Sequence, residues 1–411
     1  MLVPLVKSVK TRFTNLNKPE AKMKITDIRT IVIDAHRTNW VIVRIETDAG
    51  IHGIGEATVE RREQAVVETV RSIGHYLLGQ DPFAVEHHAR TITRDSYWRT
   101  GVVNRSALSG IEAALWDIKG KALGVPVYEL MGGKCRDRVP VYANNWSPAQ
   151  GIAGATTYAE AAMRPVDMGF GAVKWDPFGS AWMRMTRAER RAAVNDIGAV
   201  RRAVGDDVEL LIEGHGRHDL PSAVEIGNAI AEHEPLFFEE PTPPDNIDVL
   251  AEVKARIPVA VAGGERYMDR FRFAEIARKD ALDWWQPDVC HVGGLAEMKA
   301  IGIMAETMFR PLAPHNPMGP VGNAMTLQLA AVIPNFAYLE TMMIDVPWRG
   351  DVVHEHAVIE DGHMLIPDAP GLGVDLIEDA AGKHPYVFKA PAHFRKRSPW
   401  PDGSGPWFEV R

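Results

Sequence analysis

The chain has 411 residues, of which 46% are hydrophobic and 24% are charged. At roughly 150 residues per domain, this length fits two to three domains or one large barrel with an appendage, and the composition excludes a largely disordered chain. The net charge of −8 excludes a global basic field for nucleic acid. Two cysteines are too few for a disulfide framework. We therefore expect a cytoplasmic protein with no nucleic-acid partner, and the absence of long apolar runs predicts no membrane contact.

The chain opens with a segment that carries no sustained apolar stretch and no small-residue cleavage pattern, so it does not resemble a secretory signal. We expect residues 1–22 to form a loose extension, and Met23 is an alternative start. Runs rich in β-branched residues then predict a small antiparallel sheet, and helical periodicity follows it. These elements predict an α+β domain over residues 23–138.

Beyond residue 138 the pattern changes to short apolar runs, each followed by a helix-like stretch. We count eight such runs, at 139–146, 171–178, 208–213, 236–240, 258–265, 282–288, 310–315 and 335–340. Eight βα units predict a (β/α)8 barrel over residues 139–350, with its active site at the carboxyl ends of the strands. A doubly wound sheet is the alternative, but no glycine-rich phosphate turn follows the first strand. The last segment, 351–411, is expected to pack on the N-terminal domain.

Three consecutive predicted strands each end in a glutamate, and these glutamates are 26 residues apart, at Glu213, Glu239 and Glu265. Carboxylates that close together repel one another unless a cation neutralises them, and an all-oxygen ligand set suits Mg²⁺. A single acidic residue at such a position is more simply explained by helix capping. Three glutamates at equivalent positions on consecutive strands favour a metal site.

The next three strand ends carry Asp288, His315 and Glu340. An aspartate beside a histidine on adjacent strands orients the imidazole and raises its basicity, which suits a general base. His215 lies two residues beyond the first glutamate, so strand alternation predicts that it faces the same side. Lys174 ends the second strand, where it could hold a substrate carboxylate or extend from the barrel wall.

With these residues and the motifs around them, the chain resembles the enolase superfamily, in its mandelate racemase-like branch. Within that branch it resembles the acid-sugar dehydratases of the gluconate and galactonate type. The stretches that carry the resemblance are 109–120 (SGIEAALWDIKG), 130–133 (LMGG), 211–218 (LIEGHGRH), 237–241 (FFEEP), 262–266 (AGGER), 286–294 (QPDVCHVGG) and 313–320 (APHNPMGP). The resemblance implies a modified TIM-like barrel, closed by the N-terminal α+β domain as a cap. It also implies a homo-oligomer, from dimer to octamer.

The resemblance further implies one Mg²⁺ per active site, held by Glu213, Glu239 and Glu265. His315, oriented by Asp288, matches the family's base, which removes the proton α to the carboxylate of a sugar acid. Loss of the 3-hydroxyl as water then gives a 2-keto-3-deoxy acid.

Other family positions map to this chain as well. Lys174 and Glu340 match positions that contact the substrate carboxylate and the developing enediolate, and His215 matches the general acid of dehydratases. The loop that holds His36 and Trp40 matches the family's specificity loop, although an ordinary surface loop would have the same composition.

Arg217 and Arg266 are further candidates for substrate contact, with a solvated loop residue as the alternative for Arg217. The chain departs from the family at two positions. Glu213 stands where aspartate is more usual, which affects the expected coordination. Asp176 stands where racemases carry a second lysine as a base, and this favours a dehydratase. An epimerase, racemase or cycloisomerase of a hydroxy acid is the alternative, and a non-catalytic metal-binding or ligand-binding barrel is a second one.

Overall fold

The structure is a computed structural model that describes residues 23–148, 155–343, 345–354 and 357–389. The predicted extension, residues 1–22, lies outside the described residues. Among the helices of the described ranges, none is long and apolar enough to cross a membrane.

The N-terminal part of the described chain is a three-stranded antiparallel sheet covered by helices. Its elements are β1 (Ile25–Ala35), β2 (Thr38–Thr47), β3 (His52–Glu56), α1 (Glu63–Leu77), α2 (Val85–Asp95), α3 (Val102–Leu123) and α4 (Val127–Leu130). The long helix α3 lies directly against β3, and a Cβ atom on Gly55 would be 2.2 Å from the carbonyl oxygen of Gly110. Glycine is therefore required for this close approach, which brings α3 over the sheet and toward the barrel.

Parallel strands and helices alternate through the next part of the chain. The elements are β4 (Arg138–Asn144), α5 (Tyr158–Asp167), β5 (Ala172–Trp175), α6 (Arg187–Val204), β6 (Glu209–Glu213), α7 (Leu220–Ile230), β7 (Phe237–Glu239), α8 (Ile247–Arg256), β8 (Val261–Gly263), α9 (Arg270–Lys279), β9 (Trp284–Trp285), α10 (Leu295–Thr307), α11 (Pro320–Val332) and β10 (Leu339–Met342). Strands β4 to β9 pair in chain order, and β10 returns to pair in parallel with β4. The predicted modified barrel with an α+β cap is confirmed.

The seventh predicted strand, 310–315, is reduced in the structure to bridges at a single residue. Leu312 bridges Trp285 on one side and Phe336 on the other. Pro311 and Pro314 flank it, and neither proline has an N–H group to donate to a ladder. The segment that leads to His315 is nevertheless hydrogen-bonded on both sides, with Ala313 N–H donating to Trp285 and Leu312 N–H donating to Asn335.

The described end of the chain contains β11 (Ile359–Glu360), β12 (His363–Leu365) and α12 (Ala380–Lys383). As predicted, this segment packs on the cap: the backbone N–H of Leu372 donates to Asp117 at 2.8 Å, and Asp375 pairs with His52 at 2.8 Å. It also extends the barrel sheet, because β12 pairs antiparallel with β4. The segment therefore joins the cap to the barrel.

Candidate active site

Three carboxylates converge at the carboxyl ends of β6, β7 and β8. Glu213 and Glu239 are register partners on adjacent strands, and Glu265 follows the end of β8 by two residues. Each offers an oxygen atom that lies within 4.8 Å of the others. Glu213 and Glu239 are buried, and the side chain of Glu265 is 17% exposed. The predicted glutamate triad is therefore brought together in space.

The charges of these carboxylates are poorly balanced by the protein. Burial raises the pKa of Glu213 to about 7, and the charge of Glu265 adds to that effect while Lys174 opposes it. Burial and the charge of Glu213 raise the pKa of Glu239 well above its usual range. Burial opposes ionisation of Glu265 as well, but the charges of His315 and Arg266 lower its pKa to about 2. Two buried carboxylates that resist ionisation beside a third that is ionised suit a hard divalent cation such as Mg²⁺. The residues present therefore fit the expected metal.

Lys174 lies at the centre of the acidic groups. Its Nζ donates to both carboxylate oxygens of Glu239, at 2.9 and 3.0 Å, and lies 2.9 Å from Glu340 and 3.5 Å from Glu213. Burial opposes the charge of Lys174, but Glu239 and Glu340 raise its pKa well above the usual range. The surrounding carboxylates thus favour the charged form of Lys174 inside the barrel.

Glu340 is fixed from two directions. The side-chain amide of Asn144 donates to its Oε1 at 2.6 Å, and the backbone N–H of Asn316 donates to its Oε2 at 2.8 Å. Burial opposes ionisation, but the charge of Lys174 lowers the pKa of Glu340. Glu340 is therefore an oriented anion next to the residue that follows His315.

The predicted pair of Asp288 and His315 is present. His315 Nδ1 lies 2.6 Å from Asp288 Oδ2, and His315 Nε2 lies 3.3 Å from an oxygen of Glu265. Burial opposes protonation of His315, but the charge of Glu265 and the hydrogen bond with Asp288 raise its pKa to about 10. A divalent cation on Glu265 would offset much of that charge. The imidazole thus lies between its orienting aspartate and the glutamate triad.

The side chain of His215 is oriented by a backbone turn and not by the predicted strand alternation. Its backbone has a positive φ of 50° after β6, so strand alternation does not apply. Its N–H donates to Glu213 Oε1 at 2.6 Å, and its ring Nδ1 lies 2.6 Å from Asp176 Oδ2. His215 and Asp176 therefore form a second histidine–aspartate pair, which is not among the predictions from the sequence.

Arg217 holds this second pair together. Its guanidinium is fully buried, donates to the carbonyl oxygens of Gly214 at 3.1 Å and Gly179 at 2.6 Å, and pairs with both oxygens of Asp176. Because these partners occupy its nitrogens, the prediction that Arg217 contacts the substrate is not supported. It acts instead on the orientation of Asp176.

Arg266 pairs with Glu240 and lies 3.6 Å from Glu265. Glu240 is a buried acid next to Glu239 in the sequence, and it is not among the predicted site residues. Burial and the charge of Glu265 raise the pKa of Glu240 to about 8, against the charge of Arg266. About a third of the Arg266 side chain is exposed, at 34%, so it still has surface at the rim of the site.

The two candidates in the cap differ in their exposure. His36 is exposed in the turn between β1 and β2, with a φ of 56°. Trp40 is 1% exposed, and the guanidinium of Arg349 lies 5.2 Å from its ring centre. Because protein contacts cover the Trp40 ring, the prediction that it binds substrate is not supported.

Other cap residues, not predicted from the sequence, lie nearer to His315. Arg37 pairs with Glu60 and donates to the carbonyl oxygen of Pro317 at 3.4 Å, two residues from His315. Burial opposes ionisation of Glu60, but the charges of Arg37 and His315 lower its pKa. Glu56 accepts from the backbone N–H groups of Gly319, in the loop after His315, at 2.8 Å and of Gly322, in the first turn of α11, at 2.7 Å. The positive φ of turn residues and this cap-to-barrel contact leave no periodic signal in the sequence.

Comparison with known families agrees with this fold. Residues 16–132 match the mandelate racemase / muconate lactonizing enzyme N-terminal domain, and residues 157–380 match the enolase C-terminal domain-like family. The chain belongs to the enolase superfamily, in its mandelate racemase-like branch.

Curated relatives and solved structures cover most of the chain. The D-galactonate dehydratase of Pectobacterium atrosepticum is 35% identical, over 87% of this chain and 93% of its own length. The D-gluconate dehydratase of Thermoproteus tenax is 34% identical, over 88% of this chain and 74% of its own. A mandelate racemase/muconate lactonizing enzyme-like protein from Rubrobacter xylanophilus has a TM-score of 0.82 at 36% identity, covering 91% of this chain and all of its own, 100%. An enolase superfamily member from Salmonella Typhimurium has a TM-score of 0.84 at 30% identity, covering 88% and 98%.

Proposed function

We propose that this protein is a Mg²⁺-dependent dehydratase of a sugar acid, an aldonate such as gluconate, galactonate or arabinonate. The observation that carries the proposal is the pairing of two histidines with two aspartates around one glutamate triad. A dehydration needs one group that removes a proton and another that protonates the leaving hydroxyl. The dehydratase relatives named above support the same reaction class.

The first half of the reaction removes the proton α to the carboxylate. Glu213, Glu239 and Glu265 would hold Mg²⁺, which when bound supplies positive charge that stabilises the enediolate. His315 accepts the α proton at Nε2, since Asp288 already engages Nδ1 at 2.6 Å. Asp288 stabilises the imidazolium that forms, in the way that carboxylates support histidine bases.

The second half expels the 3-hydroxyl group. His215, oriented by Asp176 through Nδ1, donates a proton from Nε2 to the departing oxygen. The C–O bond breaks, water leaves, and the resulting enol takes up a proton to become a 2-keto-3-deoxy acid. The ammonium of Lys174 and the carboxylate of Glu340, 2.9 Å apart, lie at the position where the substrate carboxylate would bind.

One observation also favours a second candidate, an epimerase of a hydroxy acid. Because His215 is paired with an aspartate just as His315 is, it could return a proton to the same carbon instead of to a hydroxyl. The products separate the two reactions, since dehydration removes a hydroxyl group and epimerisation inverts one carbon.

A product screen tests the proposal. Purified protein with Mg²⁺ is incubated with a panel of aldonic and aldaric acids, and 2-keto acid products are detected as semicarbazones by absorbance. Formation of a 2-keto-3-deoxy acid from at least one aldonate is the expected result. Inverted hydroxy acid without keto acid would favour the epimerase. Binding of Mg²⁺ and sugar acids without any turnover would favour a non-catalytic barrel.

The proposal extends to assembly and location. We expect a homo-oligomer, from dimer to octamer, in the cytoplasm. Light scattering of the purified protein measures the first, and a monomer at all concentrations would contradict it.

A further inference from the structure

Helix α3 of the cap holds the loop after β9, which carries Asp288. The α3 side chains that contact this loop are buried: Arg105, Ser106, Ser109 and Glu112. Ser109 Oγ accepts from the backbone N–H of Gly293 at 2.8 Å, and the Glu112 carboxylate accepts from the N–H of Leu295, also at 2.8 Å. These two bonds tie the far end of the loop to the cap, at Gly293 and Leu295, and neither reaches Asp288 itself.

Ser106 differs from its neighbours because its hydroxyl meets a side chain of the loop. Ser106 Oγ lies 3.0 Å from Nδ1 of His291. The other ring nitrogen, His291 Nε2, faces Asp288 Oδ2 at 3.6 Å, and the ring centre lies 6.2 Å from that of His315 at an interplanar angle of 31°. His291 therefore lies between the cap and the pair formed by Asp288 and His315.

The contacts of His291 with Ser106 and with Asp288 together select the nitrogen that carries its proton. A neutral imidazole has one N–H and one lone pair, and its neighbours select between the two tautomers. When Ser106 donates to Nδ1, the proton of His291 resides on Nε2 and faces the Asp288 carboxylate. The other tautomer would place a lone pair against that carboxylate, which is repulsive. At 3.6 Å the contact is electrostatic and exceeds hydrogen-bond length.

We propose that Ser106 and His291 are positioning residues for the base. They hold Asp288 in the orientation that serves His315, and through Ser106 the cap contributes to catalysis in the barrel. Asp288 is otherwise held by the backbone N–H of Cys290, which donates to Oδ1 at 2.7 Å, and by His315 at Oδ2. This inference rests on the proposed function for the role of the base, but the tautomer of His291 is independent of any substrate.

The tautomer is measured by nitrogen-15 NMR of the histidine side chains in the unliganded protein. The resonance of His291 is assigned by its loss in His291→Gln. We expect the proton on Nε2 in the wild type, and a measurable fraction of it on Nδ1 in Ser106→Ala, because only one of the two selecting contacts, that with Asp288, then remains. The matched control is Ser109→Ala, which removes another fully buried hydroxyl of α3 but leaves Ser106 in place. A wild-type proton on Nδ1, or an unchanged tautomer in Ser106→Ala, would overturn the proposal.

Kinetics on the substrate found by the product screen supply the second readout. Ser106→Ala should lower kcat about three- to tenfold, the effect of one buried hydrogen bond, with KM within about twofold. Ser109→Ala should keep the wild-type kcat. His291→Gln should also lower kcat, and the double variant should be no slower than His291→Gln alone, because both changes break one chain of contacts.

Equal losses of kcat in Ser106→Ala and Ser109→Ala would show a merely structural role and overturn the proposal, as would additive effects in the double variant. If the wild type has no turnover, the proposed function fails, and the NMR result alone then decides whether Ser106 controls His291.

Discussion

His215 Nδ1 lies 2.6 Å from Asp176 Oδ2, the same distance that separates His315 Nδ1 from Asp288 Oδ2. Each carboxylate engages Nδ1, so Nε2 is the nitrogen through which each imidazole would exchange a proton with a substrate. Asp176 and His215 follow strands β5 and β6. Asp288 follows β9, and His315 follows the bridges at Leu312, so the two pairs come from different strands of the barrel. This arrangement suits an acid and a base that act on one molecule.

The first prediction concerns the acid. Asp176→Asn should slow dehydration by about 10- to 100-fold, because the loss of a supporting carboxylate leaves the imidazole of His215 in the wrong orientation or tautomer. Exchange of the α proton with solvent, which depends on His315, should fall much less. Both rates are measured in D₂O by proton NMR. An equal loss of exchange and dehydration would contradict the separate role of His215.

The second prediction concerns the base. His315→Asn should lower both α-proton exchange and dehydration by about 10² to 10⁴, the usual contribution of a general base. The control is His36→Asn, a change of the same kind at an exposed cap residue, which should change KM more than exchange. Full exchange in His315→Asn would show that another residue takes the proton.

The third prediction concerns the metal. Chelation by EDTA should abolish activity, and added Mg²⁺ should restore it. Glu239→Gln should weaken Mg²⁺ binding, measured by calorimetry, by at least the 10- to 100-fold typical of an outer partner. Glu378→Gln, which removes a surface acid that is 82% exposed, is the control. Unchanged Mg²⁺ affinity in Glu239→Gln would exclude it as a ligand.

The fourth prediction concerns the contact between the C-terminal segment and the cap. Burial opposes ionisation of Asp375, but its hydrogen bond with His52 and the charge of Lys121 lower its pKa to about 2. An aspartate in the unfolded chain has a pKa of about 3.9. The contact therefore stabilises the fold above about pH 4, and this stabilisation is lost as the pH falls toward about 2. Solvent screens a pair this exposed, which limits the effect to below about 1 kcal/mol.

Urea unfolding of Asp375→Asn measures this effect. The variant should be less stable than the wild type at pH 6, and the difference should shrink at pH 3. Asp379→Asn changes a more exposed aspartate of the same segment, with 65% of its side chain exposed, and serves as the control. A difference that grows toward pH 3 would contradict the sign of the shift.

The glutamate triad could be predicted from the sequence because parallel strands end at one edge of the barrel, so a repeat of 26 residues becomes a spatial cluster. The partner of His215 could not, because a φ of 50° at that residue turns its side chain toward Asp176. The run 310–315 takes its predicted place in the barrel, but it pairs through bridges at Leu312 alone, since Pro311 and Pro314 have no N–H group to donate. Trp40 was predicted to lie in a loop between the first two strands. The structure places it in β2, where it is buried beside Gly319 in the segment that follows His315.

Proton NMR of the wild type in D₂O with Mg²⁺ and the panel of sugar acids distinguishes the dehydratase from the epimerase in one experiment. We expect new signals of a 3-deoxy carbon that carries one deuterium, from at least one aldonate, and their absence in His315→Asn. Exchange and inversion at C2 with no 3-deoxy signal from any acid would contradict the dehydratase and support the epimerase.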